Sequence, residues 1–159
     1  MTRDVAPRHG QLKPALVESV FFPALQGSKG KMSASDPNSA IFVTDTPKAI
    51  AKKVNKYAFS GGRATVEEHR RLGGCLETDV SYQWLRFFLE DDAELARLGE
   101  AYASGEMLSG EMKAALIACL TEVVQRHQSA RAAVTDEVLE RFMRPRAPPV
   151  GGLWRQTSS

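Results

Sequence analysis

One long amphipathic pattern, from Gly110 to about Arg131, constrains the fold of this chain more than any other feature. A helix of this length needs neighbouring helices to cover its apolar face. Its apolar residues recur at intervals of three and four, the spacing of one helical face; they include Met112, Leu116, Cys119, Leu120, Val123 and Val124. The pattern therefore predicts the central helix of a bundle.

Capping residues predict five shorter helices around it. Side-chain oxygens of Ser, Thr, Asp and Asn accept hydrogen bonds from the first N–H groups of a helix, and glycine often ends one. The helices are expected from Asp45 or Thr46 to about Tyr57, from Thr65 to Gly73, from Asp79 to Leu89, from Asp91 or Asp92 to Gly105, and from Thr135 to Met143. The chain is therefore expected to be mainly α.

The beginning of the chain follows a different pattern. Residues 1–10 predict a short helical turn that stops at Gly10. Ala15–Phe22 is a short apolar run rich in β-formers and predicts a buried strand ending at Pro23. One strand cannot form a sheet, so either its partners are missing or the segment packs on something else.

Composition limits the class of protein. Of the 159 residues, 43% are hydrophobic and 25% are charged, which is typical of a soluble globular chain. No run of eighteen apolar residues predicts a membrane span, and the first thirty residues carry no secretory signal pattern. Cys75 and Cys119 are interpreted as reduced thiols of a cytosolic protein. The Pro- and Gly-rich tail, 147–159, is expected to be disordered, and its Trp154 has no assigned role.

Charge is divided along the chain. Residues 29–71 carry a net charge of +5, residues 77–122 carry −7, and residues 123–159 carry +3. A nucleic acid or a phosphate-rich ligand would be attracted to the basic segments. Solvated helix faces remain an alternative interpretation of each cluster.

The segment from Gly27 to Pro37 is the most informative for function. Its glycines let backbone N–H groups approach oxygens, its serines donate hydrogen bonds and its two lysines bring positive charge, a combination that suits a polyphosphate. The Walker A spacing is absent. On composition alone, a solvated surface loop is the alternative.

Lys31-Met32-Ser33-Ala34-Ser35 resembles the KMSKS signature of class I aminoacyl-tRNA synthetases. The surrounding sequence is similar to eukaryotic-type tryptophanyl-tRNA synthetases. The resemblance extends to about Arg146 and is carried by residues 1–8, 21–27, 31–38, 58–63, 87–92 and 134–137.

The resemblance implies a C-terminal remnant of a Rossmann-type catalytic domain (1–45), followed by a helical anticodon-binding domain (46–146). It implies ATP-dependent activation of tryptophan and transfer to tRNA(Trp) in the cytoplasm, with Mg accompanying ATP and no protein metal site. Family members also carry a HIGH-like motif and a tryptophan pocket in a preceding half and dimerise largely through the catalytic domain. No His-x-Gly-His pattern occurs here. A non-catalytic anticodon-binding module or an inactive fragment therefore remain alternatives, and the oligomeric state is left open.

The resemblance also implies residue roles. Lys31 neutralises charge that develops on pyrophosphate, and Ser33 and Ser35 hydrogen-bond phosphate oxygens. Met32 packs, with its backbone near adenine. The usual second lysine is Ala34 in this chain, and Lys29 is either a partial replacement or an ordinary exposed lysine.

On the tRNA side, the resemblance places Arg63 and Lys113 near the anticodon. Arg63 follows Ser60-Gly61-Gly62, and the acidic residue that usually comes next is replaced by Ala64. Arginine can grip or stack on bases, whereas lysine mostly contacts phosphate. Without the resemblance, both would be ordinary surface charges.

Other polar and aromatic residues favour structural interpretations. His69 is expected to be a solvated helix residue without metal-ligand spacing to either cysteine. Trp84, Phe87 and Phe88 are expected to be core aromatics, not base-stacking platforms.

Overall fold

The computed structural model describes residues 1–27, 32–33 and 35–145. The chain divides into two compact units. The first comprises Met1–Val20 and Val134–Ser159, and the second comprises Phe21–Ala133. The expected disordered tail, with Trp154, lies outside the described residues.

The first unit contains short helices. Helix α1 spans Thr2–Val5 and is followed by a 3-10 helix, Ala6–His9. Gly10 ends this helical turn in the left-handed region, with a φ of 66°. The predicted turn at the start of the chain is thus confirmed, and so is the last helix. Helix α7, the last of the chain's described helices, spans Asp136–Met143 and is capped by the Thr135 hydroxyl.

The expectation of a buried strand at Ala15–Phe22 is wrong. These residues have no strand pairing, and Val17 and Phe21 are 90% and 97% exposed. A strand requires a neighbour to receive its backbone hydrogen bonds, and no strand occurs among the described residues. An isolated bridge between Ala24 and Gly27 is the nearest feature of this kind.

The second unit is a bundle of five helices. They are α2 (Pro47–Tyr57), α3 (Val66–Leu72), α4 (Val80–Phe88), α5 (Asp92–Ser104) and α6 (Ser109–Ala132). Predicted N-caps are observed at Thr46, Thr65, Asp79 and Asp91, whose side-chain oxygens accept backbone N–H hydrogen bonds. Each cap satisfies donors that the first helical turn leaves unpaired.

Helix α6 is the centre of this bundle, as the sequence predicts. It packs against α2, α4 and α5. The buried core combines apolar residues from α2, α4, α5 and α6. It includes Ile50, Val54, Val80, Trp84, Leu85, Leu98, Met112, Leu116, Leu120 and Val124. Since burial of each such side chain contributes about 1.5–3 kcal/mol, this core is the main stabilising element of the unit.

The three predicted core aromatics differ in burial. Trp84 is 2% exposed and Phe88 is half-buried, but Phe87 is 49% exposed. All three surround Phe22, with ring centroids 4.5–5.6 Å from its ring. Phe87 therefore covers the rim of an aromatic cluster and is not a fully buried core residue.

No helix among the residues placed by the structure is long and apolar enough to cross a membrane.

Candidate functional site

Two hydroxyl groups of the signature segment lie side by side. The Oγ atoms of Ser33 and Ser35 are 2.7 Å apart, and the Ser35 N–H donates to Ser33 Oγ over 3.3 Å. Ser33 is half-buried and Ser35 is exposed. Because one hydroxyl of this pair donates to the other, the pair in this arrangement presents one free O–H donor to an oxygen of a phosphate chain. Lys31, Lys29 and Ala34 lie outside the described residues.

A third serine holds this segment in place. Ser39 is 2% exposed, and its Oγ accepts the Ser33 N–H at 3.1 Å. The same Oγ lies 3.0 Å from the Ser33 carbonyl oxygen and 2.8 Å from that of Asp36. Asp36 also caps the turn, because its Oδ1 accepts the Asn38 N–H. The Ser39 hydroxyl therefore closes the loop that positions Ser33.

The base of the loop is connected to the helical core. The N–H of Leu25, a fully buried residue, donates to the Ser39 carbonyl oxygen, and the Leu25 carbonyl accepts from the Phe59 N–H. Met32 is half-buried against the same core, as predicted for a packing residue. The hydroxyl pair is therefore anchored to the bundle at both the main chain and Met32.

The turn that carries Arg63 is fixed by buried hydrogen bonds. The Gly61 N–H donates to Asp79 Oδ2 at 2.9 Å, and the Gly61 carbonyl accepts from the Cys75 N–H at 2.8 Å. Arg63 is exposed, and its Nε donates to the Gly73 carbonyl at 2.9 Å. Within the described residues, its terminal guanidinium nitrogens have no other partner. They are available to an anionic or base ligand.

Close packing brings this turn to the start of α6. A Cβ atom on Gly62 would lie 2.5 Å from Ser109 Oγ, which is closer than Cβ atoms approach other heavy atoms in proteins. Lys113 lies one helical turn after Ser109, and its Nζ donates to the Asn55 carbonyl at 3.3 Å. The structure thus brings the Gly62–Arg63 turn next to the helical turn that leads to Lys113.

The expectation that His69 is solvated is wrong. His69 is 3% exposed, its Nε2 lies 2.9 Å from the Met107 carbonyl, and its ring is 5.1 Å from that of Tyr102. The short helix α3 turns this residue inward against α5, whereas the sequence shows only a His among charged neighbours. Burial raises the pKa of Tyr102, and the negative charge of Asp79 raises it further.

Sequence reasoning missed Ser39, Asp79 and Tyr102 as site-forming residues. Asp79 was predicted only as a helix cap, yet one of its oxygens also receives the Gly61 N–H and the Tyr102 hydroxyl. The contacts of Asp79 with Gly61 and Tyr102 span 18 and 23 residues, so no local pattern could identify them, whereas the contacts of Ser39 are local and become visible only in the folded loop. Among the described residues, no group of three His, Cys, Asp or Glu side chains could hold a metal ion.

Comparisons with known proteins identify the family of this chain. Residues 1–125 match the family described as tRNA synthetases class I (W and Y). The chain is 60% identical to the cytoplasmic tryptophan–tRNA ligases of Arabidopsis thaliana and Homo sapiens, covering 94% and 92% of this chain but 37% and 31% of theirs. It therefore spans about a third of these relatives' length.

Solved structures give the same result. A parasite tRNA synthetase in a product-bound crystal structure has a TM-score of 0.86 at 53% identity, covering 89% of this chain and 38% of that one. The tryptophanyl-tRNA synthetase of Giardia lamblia has a TM-score of 0.83 at 51% identity, covering 88% and 35%. The chain corresponds to a C-terminal portion of its relatives and belongs to the class I tRNA synthetases of the tryptophan and tyrosine family.

Proposed function

We propose that this chain is the C-terminal part of a tryptophan–tRNA ligase, which activates tryptophan with ATP and transfers it to tRNA(Trp). The proposal is carried by one observation: the KMSAS segment, in a chain 60% identical to such ligases, contains two adjacent hydroxyl groups on an anchored loop. The buried Ser39 hydroxyl holds this loop in one arrangement, which supports a binding role over a solvated surface loop.

The loop residues fit the triphosphate of ATP. In the proposed reaction, the tryptophan carboxylate attacks the α-phosphate and pyrophosphate leaves. Ser33 and Ser35 donate hydrogen bonds to phosphate oxygens, and Lys31 neutralises charge that develops on the leaving group. Met32 anchors the loop against the core, with its backbone close to the adenine. Mg accompanies ATP as its counterion in this proposal.

The second proposed site contacts the anticodon of tRNA. Arg63 is exposed at the end of a turn fixed by Asp79, and Lys113 lies near the start of α6. The main chain at Gly62 packs against Ser109, one helical turn before Lys113, and the proposal assigns both residues to one ligand on this basis. Arg63 offers a planar donor fork that can read a base edge, while Lys113 contacts phosphate. Ala64 supplies no side-chain acceptor for a base.

The wider organisation is proposed on the same basis. Residues 1–45 form the end of a catalytic domain, and residues 46–146 form the anticodon-binding domain. Tryptophan binding requires a HIGH-containing half that these 159 residues do not include. The enzyme acts in the cytoplasm, as the names of the relatives indicate for those proteins. Its dimer would form largely through the catalytic domain.

A chimera tests the proposed activity. Residues 1–145 would replace the matching portion of the Arabidopsis thaliana ligase, and tRNA(Trp) aminoacylation would be measured beside the parent enzyme. We expect activity, because the loop and the anticodon turn are both supplied by this chain. A folded chimera that binds tRNA(Trp) but cannot activate tryptophan would instead favour the non-catalytic binding module.

The 159-residue chain alone should not form tryptophanyl-adenylate. Adenylate formation needs ATP held in line with the carboxylate, and only the KMSAS side of that arrangement is present. We expect no tryptophan-dependent pyrophosphate exchange above background, with the chimera as positive control. Exchange by the isolated chain would contradict the assignment of the catalytic parts.

A further inference from the structure

A hydrogen-bonded network, buried at Asp79 and Tyr102, connects helices α4, α5 and α6 with the turn at Gly61. The Tyr102 hydroxyl, on α5, donates to Asp79 Oδ2 at 2.8 Å and lies 2.9 Å from Ser109 Oγ at the start of α6. Asp79 Oδ2 also accepts the Gly61 N–H, and Asp79 Oδ1 accepts the Tyr82 N–H of α4. Asp79 and Tyr102 are 1% and 0% exposed.

The two ends of this hydrogen-bonded network lie in the two elements that carry the candidate anticodon residues. At one end, the Gly61 N–H belongs to the turn that leads to Arg63. At the other end, Ser109 is the first residue of α6, one helical turn before Lys113. The Tyr102 hydroxyl lies between them and contacts both sides through single hydrogen bonds.

Further contacts tie Tyr102 to the same turn. The Tyr102 carbonyl accepts the Gly74 N–H at 2.9 Å, next to Gly73, whose carbonyl holds Arg63 Nε. A Cβ atom on Gly62 would lie 3.6 Å from the Tyr102 hydroxyl. Tyr102 is therefore linked to the turn in two ways: its carbonyl pairs with Gly74 beside the partner of Arg63, and its hydroxyl shares Asp79 Oδ2 with the Gly61 N–H.

We propose that Tyr102, acting through Asp79 and Ser109, is a positioning residue that fixes Arg63 relative to Lys113 and thereby sets discrimination between anticodons. The inference rests on the proposed function, because it takes Arg63 as the residue that reads a base. A buried network whose donors and acceptors are all paired holds one geometry, since any displacement leaves a buried polar group unpaired. A fixed geometry is what base-edge readout requires.

The test uses the full chain with Tyr102→Phe, which removes only the hydroxyl and keeps the ring. Tyr82→Phe on α4 is the matched control, because its hydroxyl is outside the network. Dissociation constants for tRNA(Trp) and for an anticodon-substituted tRNA(Trp) give a discrimination ratio. We expect Tyr102→Phe to lower this ratio roughly threefold to tenfold, the size of one lost hydrogen bond, and Tyr82→Phe to leave it unchanged.

The ratio separates positioning from stability. A variant that only unfolds part of the protein weakens both tRNAs equally and leaves the ratio unchanged, and this result would overturn the inference. The Arg63→Ala, Tyr102→Phe double variant should discriminate no worse than Arg63→Ala alone, because Tyr102 acts through Arg63. Additive losses would also overturn it.

Hydrogen exchange in the free chain provides a readout that needs no tRNA. The Gly61 amide, which donates to Asp79, should exchange faster in Tyr102→Phe than in Tyr82→Phe, while amides in the middle of α6 stay equally protected. Equal protection of the turn in the two variants would overturn the inference. If Arg63→Ala leaves the ratio untouched although exchange at the turn changes, the anticodon role of Arg63 fails and the network remains a structural feature only.

Discussion

Trp84 Nε1 donates a hydrogen bond to the carbonyl oxygen of Pro23, 2.9 Å away and 61 residues earlier in the chain. The bond fixes the segment that enters the signature loop to helix α4. Phe22, the preceding residue, packs its ring 4.5 Å from that of Trp84. The loop that carries Ser33 and Ser35 thus begins from a point held by the helical core.

Replacing Trp84 should strongly destabilise the second unit. Trp84→Phe removes buried volume and leaves the Pro23 carbonyl without its donor, which should lower the free energy of unfolding by roughly 2–4 kcal/mol. Denaturant unfolding followed by circular dichroism measures this loss. Phe87→Leu is the control, because Phe87 is half-exposed and should cost about 1 kcal/mol or less. Equal losses would show that the indole bond is unimportant.

Lys31→Ala should slow catalysis far more than it weakens tryptophan binding. In the chimera, the positive charge of Lys31 should interact with pyrophosphate mainly in the transition state. The rate of adenylate formation in Lys31→Ala should therefore fall on the order of 10²-fold. Pre-steady-state kinetics give the adenylation rate, and tryptophan affinity is measured separately. Lys48→Ala, an exposed lysine of α2, should change neither quantity. An unchanged adenylation rate in Lys31→Ala would contradict its role.

Arg63→Ala and Lys113→Ala should weaken tRNA binding in different ways. Arg63→Ala should reduce discrimination between cognate and anticodon-substituted tRNA(Trp), with a loss of about 1–3 kcal/mol confined to the cognate. Lys113→Ala should weaken both tRNAs similarly and lower the salt slope by about one, because phosphate contacts release counterions. Titrations at two salt concentrations distinguish the two patterns. If Arg63→Ala weakened both tRNAs similarly and Lys113→Ala reduced the discrimination, the roles assigned to the two residues would be reversed.

Cys119 should react slowly with alkylating reagents near neutral pH. Burial raises the pKa of this thiol, and the carboxylates of Glu122 and Glu90 raise it further. The reactive thiolate should therefore appear only above the usual range near pH 8.5. In a Cys75→Ser variant, the rate at which Cys119 reacts with iodoacetamide can be measured against pH. This rate should begin to rise at a higher pH in the folded chain than in urea.

The same shift has a defined effect on stability. The folded state keeps the Cys119 proton to higher pH than the unfolded chain does. This contribution to the free energy of unfolding is complete below the unfolded pKa and is lost as pH rises through the folded one. A Cys119→Ala variant should show a smaller loss of stability between pH 8 and pH 10. Identical pH dependence in the two chains would contradict burial of the thiol.

Helix positions could be predicted because their signals are local. Thr46, Thr65 and Asp79 each cap a helix through an N–H three residues away, and sequence spacing reveals such pairs. The bridge from Asp79 to Gly61 spans 18 residues, and that from Asp79 to Tyr102 spans 23. These pairings depend on how the helices pack, so the sequence alone did not reveal them.

The strand expected at Ala15–Phe22 failed for a related reason. Its apolar, β-branched composition favours a β-strand where neighbouring strands are available. Local composition contains no information on whether such strands exist. The opposite holds for His69, whose charged neighbours hide a position that tertiary packing buries. Ser33 and Met32 were identified by resemblance, and the role of Ser39 emerged only from the folded loop.

The close packing at Gly61 and Gly62 limits how this turn can change in evolution. A Cβ atom would lie 2.1 Å from the Cys75 carbonyl oxygen at the first position and 2.5 Å from Ser109 Oγ at the second. A side chain at Gly61 would displace the turn from the Cys75 main chain, whereas one at Gly62 would require the Ser109 side chain at the start of α6 to move. Arg63 and Ala64 are both exposed, so this turn can change its outward-facing side chains at these two positions while its two glycines keep the main chain in place.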